Sequence, residues 1–321
     1  MVPTAKEILD GDRRSLAKAI TLIESSKTEH REEANKLLDE LLPHSGKSYR
    51  IGITGTPGVG KSTFIESFGE YLISKGKKVA VLAVDPTSPK TGGSILGDKT
   101  RMEKLANNPN AYIRPSPSGG NLGGVAQHTK ETMILCEAAG FDTILVETVG
   151  VGQSEFQVSE MVDFFMVLLL PNAGDELQGI KKGILEIADS IVINKADGKT
   201  KELAELAKSQ YESAISLFHQ KSFWMTKVLT ISSIENKGLE KVESLLEEFK
   251  ELSIKNNQWD QKRKDQLINW FKSSIEFGIK RKIQENSDYQ KQYAQFESKI
   301  GASKKSPTAA AEEILKMIFK A

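Results

Sequence analysis

Cysteine is almost absent from this sequence, since Cys136 is the only one in 321 residues. An intramolecular disulfide and a metal centre made of several thiolates of one chain are therefore excluded. This usage is typical of a reducing compartment. Cys136 falls in a helical pattern at 127–139, where a lone thiol is expected to pack rather than react. The four histidines have no metal-ligand spacing.

Long hydrophobic runs are missing as well. The longest, at 164–170, is far shorter than the roughly 18 residues that span a bilayer. The N-terminus carries Glu7, Asp10 and Asp12 and lacks the apolar core of a secretory signal. We therefore expect a cytoplasmic protein that does not act on membranes.

An excess of one charge sign is also lacking. Lys and Arg number 44 and Asp and Glu number 43, so no overall field attracts nucleic acid or anionic lipid. Residues 254–321 are more basic, with 14 basic and 8 acidic side chains, but the acids are interspersed. This pattern is typical of a basic helical tail, and no nucleic-acid partner is predicted.

The hydrophobic pattern divides the chain into three parts. Residues 1–45 have helical periodicity, residues 46–236 alternate short β-rich runs with helical or glycine-rich stretches, and residues 237–321 have only helical patterns. Alternating strands and helices predict an α/β fold with a doubly wound, mostly parallel sheet. The seven β-rich runs are 50–54, 79–84, 111–114, 143–147, 164–170, 190–194 and 228–231.

A glycine-rich stretch follows the first β-rich run and precedes a helical pattern. It reads Gly55-Thr56-Pro57-Gly58-Val59-Gly60-Lys61-Ser62-Thr63, which is G-x-x-x-x-G-K-[ST] in its strand, turn and helix context. Glycines let backbone N–H groups converge on phosphate oxygens, and the helix N-terminus adds the positive end of its dipole. Lys61 is predicted to bridge the β- and γ-phosphates, and the Ser62 hydroxyl to ligate Mg²⁺.

A second motif, Asn194-Lys195-Ala196-Asp197, ends the sixth β-rich run and has the form N-K-x-D. The Asp197 carboxylate can accept hydrogen bonds from both N1–H and the 2-amino group of guanine. Adenine has neither donor and would leave a buried carboxylate unpaired. The Lys195 stem is expected to lie along the base, and Asn194 to hold the loop. Parallel sheets bind ligands at this edge, so the two motifs predict a guanine nucleotide site.

A third, weaker element is Ser232-Ser233-Ile234, which follows the last β-rich run. We expect it to supply backbone contacts to the base, with an ordinary connecting loop as the alternative.

Four longer stretches accompany these motifs: Val84-Asp85-Pro86-Thr87-Ser88-Pro89, Leu96-Gly97-Asp98-Lys99-Thr100-Arg101-Met102, Glu147-Thr148-Val149-Gly150-Val151-Gly152-Gln153-Ser154-Glu155 and Gly174-Asp175-Glu176-Leu177-Gln178-Gly179-Ile180-Lys181-Lys182-Gly183. With the motifs above, they closely resemble the MeaB/ArgK family of P-loop GTPases, over roughly residues 10–250. The resemblance implies a GTP-hydrolysing chaperone of an adenosylcobalamin-dependent acyl-CoA mutase, chiefly methylmalonyl-CoA mutase. Such a chaperone gates cofactor loading and protects the mutase. It also implies a homodimer, for which we expect the C-terminal helices to be responsible.

The resemblance further implies an acidic shell around Mg²⁺ made by Asp85, Asp98 and Glu147. Glu147 stands where ordinary small GTPases have the aspartate of D-x-x-G, and a carboxylate there can still hold the metal or its waters. Which of the three acids touches the metal stays open. Lys61, Glu147 and Asp98 are the predicted catalytic residues, because phosphoryl transfer depends on positioning and charge stabilisation. Gln153 is a candidate for orienting water.

The stretch 174–183 is expected to be a switch that senses the nucleotide and signals to the mutase. Gln178 and Lys181 are the predicted switch residues. For Lys181 the alternative is a solvated lysine at a helix start.

Three other functions stay open. A metal-insertion GTPase of the hydrogenase or urease maturation type shares this core, but such proteins generally carry His-rich or Cys-containing segments. A transport-associated kinase is the second alternative, because an older name of the family describes its members in that way. A purely structural role would require a phosphate loop that binds no nucleotide.

Overall fold

The computed structural model describes residues 2–25, 27–84, 102–115, 122–148, 153–171, 182–216 and 223–318. Within them the chain forms two compact units, residues 1–266 and residues 267–321. The first unit includes a helix at Leu239–Lys255, which the sequence pattern placed in the C-terminal extension. No helix in the described ranges is long and apolar enough to cross a membrane.

The predicted N-terminal helices are present. Thr4 and Glu7 form a reciprocal capping box at the first helix, and the Asp12 carboxylate accepts a hydrogen bond from the Arg14 backbone at the second. The three helices are α1 (Ala5–Leu9), α2 (Arg13–Ile23) and α3 (Thr28–Leu41). Two ion pairs join them to the first unit's core, Arg31 with Glu131 and Arg114 with Glu24.

The sheet has seven strands, and every predicted β-rich run contributes one. All adjacent strands are parallel, in the order β3-β2-β4-β1-β5-β6-β7. The strands are β1 (Tyr49–Gly55), β2 (Val79–Val84), β3 (Ala111–Arg114), β4 (Thr143–Thr148), β5 (Phe164–Leu169), β6 (Ser190–Ile193) and β7 (Lys227–Thr230). The chain reverses its direction of winding beside β1, and ligands bind at such a switch point.

Helices cover both faces of this sheet. The connecting helices are α4 (Lys61–Ser74), α5 (Glu103–Asn107), α6 (Leu122–Ala138), α7 (Gln153–Ser159), α8 (Lys182–Ile187), α9 (Lys201–Ile215) and α10 (Leu239–Lys255). One apolar core contains the N-terminal helices and α6, where Cys136 is fully buried. The other contains α4 and α10, whose Phe64 and Phe249 pack on the opposite face. The doubly wound fold is confirmed.

The amino ends of the central strands are held by buried ion pairs. Arg50, in β1, donates two hydrogen bonds to Glu137 at 2.8 and 3.0 Å. Asp163, just before β5, accepts hydrogen bonds from the Arg50 backbone at 2.8 Å and from the Arg263 guanidinium at 2.7 and 2.9 Å. These contacts lie at the sheet edge opposite the carboxyl ends of the strands.

Between residues 258 and 318 the chain forms three further helices, as the pattern predicts. The helices are α11 (Gln258–Glu285), α12 (Ser287–Gly301) and α13 (Pro307–Ile318). Pro307 stands at the first position of α13, and Ser306 Oγ accepts a hydrogen bond from the Ala309 backbone. Inside the second unit, these helices enclose an apolar groove of about 770 Å³.

Candidate nucleotide-binding site

The phosphate loop connects β1 to α4 at the carboxyl edge of the sheet. Gly60 precedes α4 with φ of +95°, and a Cβ built on it would lie 2.8 Å from Asn194 Nδ2. A side chain at position 60 would therefore be both strained and crowded. The first backbone N–H groups of α4 have no helical acceptor, so they are available to an anion at this end.

Lys61 is buried beneath this loop and faces its backbone. Its Nζ donates to the carbonyl oxygens of Gly55 at 2.7 Å and Thr56 at 3.3 Å. Burial lowers the pKa of Lys61, while the carboxylates of Glu147 and Glu155 act in the opposite direction. Thr56 Oγ1 is enclosed and has no hydrogen-bond partner among the described residues. The Lys61 ammonium and the Thr56 hydroxyl are donors that can turn to a new acceptor. Such donors suit phosphate oxygens.

Ser62 and Glu147 meet across the loop. Ser62 Oγ donates to Glu147 Oε1 at 3.5 Å, from the first turn of α4 to the end of β4. A hydroxyl and a carboxylate at this distance are the oxygen ligands that Mg²⁺ prefers. Asp85 and Asp98 lie outside the described residues, and inside them no group of three or more His, Cys, Asp or Glu side chains is placed to hold a metal ion.

Asn194 joins the three predicted motifs. Its Nδ2 donates to the Val59 carbonyl at 3.0 Å, and its Oδ1 accepts from Ser233 Oγ at 2.8 Å and Ser233 N at 3.2 Å. Lys195 Nζ donates to the Gly58 carbonyl at 2.8 Å. The loop after β6 is therefore fastened to the phosphate loop and to the loop after β7, as the sequence predicts for one shared site.

The Asp197 carboxylate is oriented by Ser232, which lies in the loop after β7. Ser232 Oγ, itself buried, donates to Asp197 Oδ2 at 2.6 Å. The backbone of Lys195 has φ of +60°, and Thr200 Oγ1 donates to the carbonyl oxygens of Lys195 and Asp197. Ile234 follows this cluster and is 74% exposed. The loop can thus present a carboxylate and an apolar side chain to a planar base.

The structure does not describe the side chains of three other predicted residues. Gln178 and Lys181 fall between the described ranges, and the side chain of Gln153 is not among those described. Cys136 takes no part in the site, because its thiol is buried in the core and burial raises its pKa.

The chain is similar to known proteins over most of its length. The family model of the "Methylmalonyl Co-A mutase-associated GTPase MeaB" matches residues 16–288. A "probable GTPase" of Mycobacterium tuberculosis is 49% identical over 314 residues, covering 98% of this chain and 94% of its own. The mitochondrial "Methylmalonic aciduria type A homolog" of Mus musculus is 43% identical and covers 96% of this chain and 77% of its own.

This chain belongs to the MeaB family of GTPases. The resemblance read from the motifs is confirmed, and the match extends beyond residue 250 into α11 and α12. A solved structure described as a "LAO/AO transport system kinase" has a TM-score of 0.77 and 37% identity, covering 98% of this chain and 96% of that one. As a MeaB-family member, the protein is a GTPase that binds guanine nucleotide.

Two residues of this MeaB-family site were not predicted. Ser67, in the second turn of α4, donates to the Ser233 carbonyl at 2.7 Å and so fixes the third loop. Glu155 is 1% exposed in the first turn of α7 and acts electrostatically on Lys61. Ser67 has no local sequence signal, because its partner is far away in the chain. Glu155 is the last residue of the stretch 147–155, and its place as an acid in the first turn of a helix was the available signal.

Proposed function

We propose that this GTPase is a G-protein chaperone of an adenosylcobalamin-dependent acyl-CoA mutase of the methylmalonyl-CoA mutase type. It would gate cofactor loading and protect the mutase. The observation that carries the proposal is the match of residues 16–288 to a family described as mutase-associated. The joined phosphate and base loops supply the nucleotide site that such a chaperone needs.

GTP and GDP would be held by the two loops described above. Residues 55–63 would surround the phosphates, with the Lys61 ammonium exchanging its backbone acceptors for β- and γ-phosphate oxygens. Asp197 would accept the two guanine donors, Lys195 would lie along the base, and Ser233 and Ile234 would close the pocket. The Ser232 hydroxyl supports this role, because it fixes the orientation of Asp197.

Magnesium would be held by Ser62 and Glu147, with Asp85 and Asp98 contributing carboxylates from outside the described residues. The Ser62–Glu147 pair supports this assignment, since both atoms are oxygen ligands at the end where the β- and γ-phosphates would lie. The bound metal would neutralise charge that develops on the transferred phosphoryl group. Lys61 would share that task, and Glu147 and Asp98 would fix the geometry.

The mutase would be sensed through Gln178 and Lys181, which follow β5 in the chain. Their place in the sequence, between β5 and α8, supports a switch between nucleotide and partner.

A homodimer would form through the C-terminal helices. In α11, Leu267, Phe271, Ile275 and Ile279 recur at every fourth position, and each is between 42% and 67% exposed. An apolar stripe of this length is costly in water and is typical of an interface.

The first experiment is GTP hydrolysis by the purified protein, with and without an adenosylcobalamin-dependent methylmalonyl-CoA mutase. We expect the mutase to stimulate release of free phosphate from GTP, with ATP as the inactive control. Lys61→Ala should bind GTP much more weakly, because it removes the charge beside the phosphates. Hydrolysis indifferent to the mutase would refute the chaperone role while leaving the GTPase in place.

A kinase is the second candidate, because the solved structure with a TM-score of 0.77 is described as one. The same assay with label in the γ-phosphate separates the two functions. Label transferred to a protein or a small molecule would favour the kinase, whereas label released as free phosphate favours the chaperone.

A further inference from the structure

Two buried threonines connect β1 with β4 at the carboxyl edge of the sheet. Thr148 Oγ1 donates a hydrogen bond to Thr54 Oγ1 at 2.7 Å. Thr148 is fully buried, and Thr54 is 2% exposed. Thr148 directly follows Glu147 in the chain. Thr54 directly precedes Gly55, whose carbonyl oxygen accepts a hydrogen bond from Lys61. The two hydroxyls therefore connect the strand ends from which the candidate site is built.

The backbone pairing of these two strands stops just before the threonines. The register of β1 with β4 ends at Ile53 and Glu147. Beyond this point Thr54 pairs with β5, and Thr148 pairs with β2 on the other side. The half of the sheet made of β3, β2 and β4 thus parts from the half that begins with β1. The hydroxyl pair extends the connection between the two halves by one further residue.

Packing alone does not require hydroxyl groups at this place. Side chains alternate along a strand, so Thr148 shares its face of β4 with Ile144 and Val146, which belong to an apolar core. Valine has nearly the shape of threonine. Replacing both partners of a buried hydrogen bond by apolar groups of the same shape is nearly neutral for stability. Two hydroxyls at the end of an apolar strand face therefore indicate a role other than stability.

The neighbouring carboxylate shows what that role is. Glu147 points to the opposite face of β4 from Thr148, where its Oε1 accepts a hydrogen bond from Ser62 Oγ at 3.5 Å. Magnesium requires ligands at about 2.0–2.1 Å in nearly ideal octahedral geometry. A small displacement of the end of β4 would therefore weaken metal binding. A hydrogen bond from the adjacent residue to β1 restricts that displacement.

We propose that Thr54 and Thr148 are positioning residues for magnesium. Their hydrogen bond holds the end of β4 against β1 and so keeps the Glu147 carboxylate beside the Ser62 hydroxyl. The inference rests on the proposed magnesium site at Ser62 and Glu147. Groups that orient metal ligands typically change metal affinity by about 10- to 100-fold. The threonine pair acts through the backbone, so we expect the lower end of this range.

The test is the magnesium dependence with which the full-length protein binds a fluorescent, non-hydrolysable GTP analogue. The metal bridges the β- and γ-phosphates, so the affinity rises as magnesium is added, and the midpoint of that rise is measured. Thr148→Val should raise the midpoint about tenfold. Its affinity for the analogue in excess chelator should stay at the wild-type value. Thr148→Ser keeps the hydroxyl and should keep the wild-type midpoint.

The double variant Thr54→Val/Thr148→Val separates positioning from packing. Both hydroxyls are replaced, so its urea unfolding should stay close to that of the wild type. Its magnesium midpoint should nevertheless be raised about as much as in Thr148→Val, because the two changes remove one shared interaction. It also serves in place of Thr148→Val if that variant folds poorly. Thr143→Val changes a 7% exposed threonine at the other end of β4 and is the matched control with an unchanged midpoint.

A wild-type magnesium midpoint in the double variant would overturn the positioning role. An equally raised midpoint in Thr148→Ser and Thr148→Val would do the same, because the hydroxyl is present in only one of them. Equal losses of affinity with magnesium and with chelator would also overturn it, since they would reflect general damage to the phosphate loop. Glu147→Gln reports on the metal site itself and should raise the midpoint further. A wild-type midpoint in Glu147→Gln would overturn the proposed magnesium site, and the positioning role with it.

Discussion

We expect guanine selectivity at the residue scale to depend on one carboxylate, that of Asp197. Asp197 is held by Ser232 and placed beside Asn194, which fastens the loop to the phosphate loop. Its oxygens are the acceptors that suit the N1–H and 2-amino donors of guanine. Neighbouring side chains thus position Asp197, and none of the described ones substitutes for its acceptors.

We expect Asp197→Ala to remove most of the preference for GDP over ADP. A site built around such hydrogen bonds discriminates by about 10⁴-fold or more, and the variant should fall to about tenfold or less. Competition binding with labelled GDP measures both affinities. Asp260→Ala removes an exposed carboxylate of α11 and serves as the control. Unchanged selectivity in Asp197→Ala would refute the assignment.

Glu131 is a second residue whose substitution should have a measurable effect, here on stability. Burial alone would raise the pKa of its carboxyl, but hydrogen bonds from His128 and Arg31 lower it below its ordinary value of 4.5. The stabilisation is therefore present above the unfolded pKa and is lost as the pH falls through the folded one.

Glu131→Gln should lower the free energy of unfolding at pH 7 by about 1–3 kcal/mol, since Arg31 loses its charged partner. The difference from the wild type should shrink as the pH is lowered below 4.5. Urea titrations at several pH values measure it, with the exposed Glu29→Gln in α3 as the control. A difference that stays constant down to low pH would contradict the role of this ion pair.

At the scale of elements, the first turns of α11 are fastened to the amino edge of the sheet. The Arg263 guanidinium donates to Asp163 and to the carbonyl oxygens of Gly46 and Ser48. It also lies 4.9 Å from the centre of the Trp259 ring. Asp163 is 2% exposed, so its carboxylate is shielded from water and held by these hydrogen bonds.

Arg263→Ala should destabilise the first unit by about 3–5 kcal/mol, because it leaves the Asp163 carboxylate buried without its guanidinium. Chemical denaturation followed by tryptophan fluorescence gives the value. Lys264→Ala, an exposed position on the same helix, is the matched control and should have almost no effect. Equal midpoints for the two variants would show that the ion pair contributes nothing.

Elements with a local signal could be predicted from the sequence, and the others could not. All seven strands follow from their apolar runs, and the α4 N-terminus follows from Gly60-Lys61. Strand order could not be predicted from local patterns, since it depends on packing between distant segments. The surface that α10 covers has no local signal either, because an amphipathic pattern does not specify which surface a helix covers.

The candidate site also contains residues with a local sequence signal and residues without one. Asn194 and Lys195 stand in a contiguous motif, and the structure brings both to the phosphate loop. Ser67 could not be predicted, since its partner Ser233 is remote in the chain, whereas Glu155 was missed although it stands in the stretch 147–155.

The whole molecule combines a nucleotide-binding unit with a helical unit that exposes apolar surface. The described motif residues of the nucleotide site all lie within residues 1–266, and the exposed stripe of α11 begins at Leu267. Assembly and nucleotide binding are therefore expected to be separable by mutation.

Phe271→Asp should convert the proposed dimer into a monomer, because it places a charge in the centre of the apolar stripe. Analytical ultracentrifugation should give the mass of two chains for the wild type and of one for the variant. Its affinity for GDP should be unchanged, which shows that the variant is folded. A wild type that sediments as a single chain would remove the dimer without affecting the nucleotide site.

The position of β1 in the sheet also constrains how the protein is made. This strand lies between β4 and β5, both of which come much later in the chain. Until Thr143 has been synthesised, the phosphate loop therefore has neither neighbouring strand. Asn194 and Ser233 come later still. The joined loops are complete only after Ser233 has been synthesised, so GTP can assist folding only in the later part of translation.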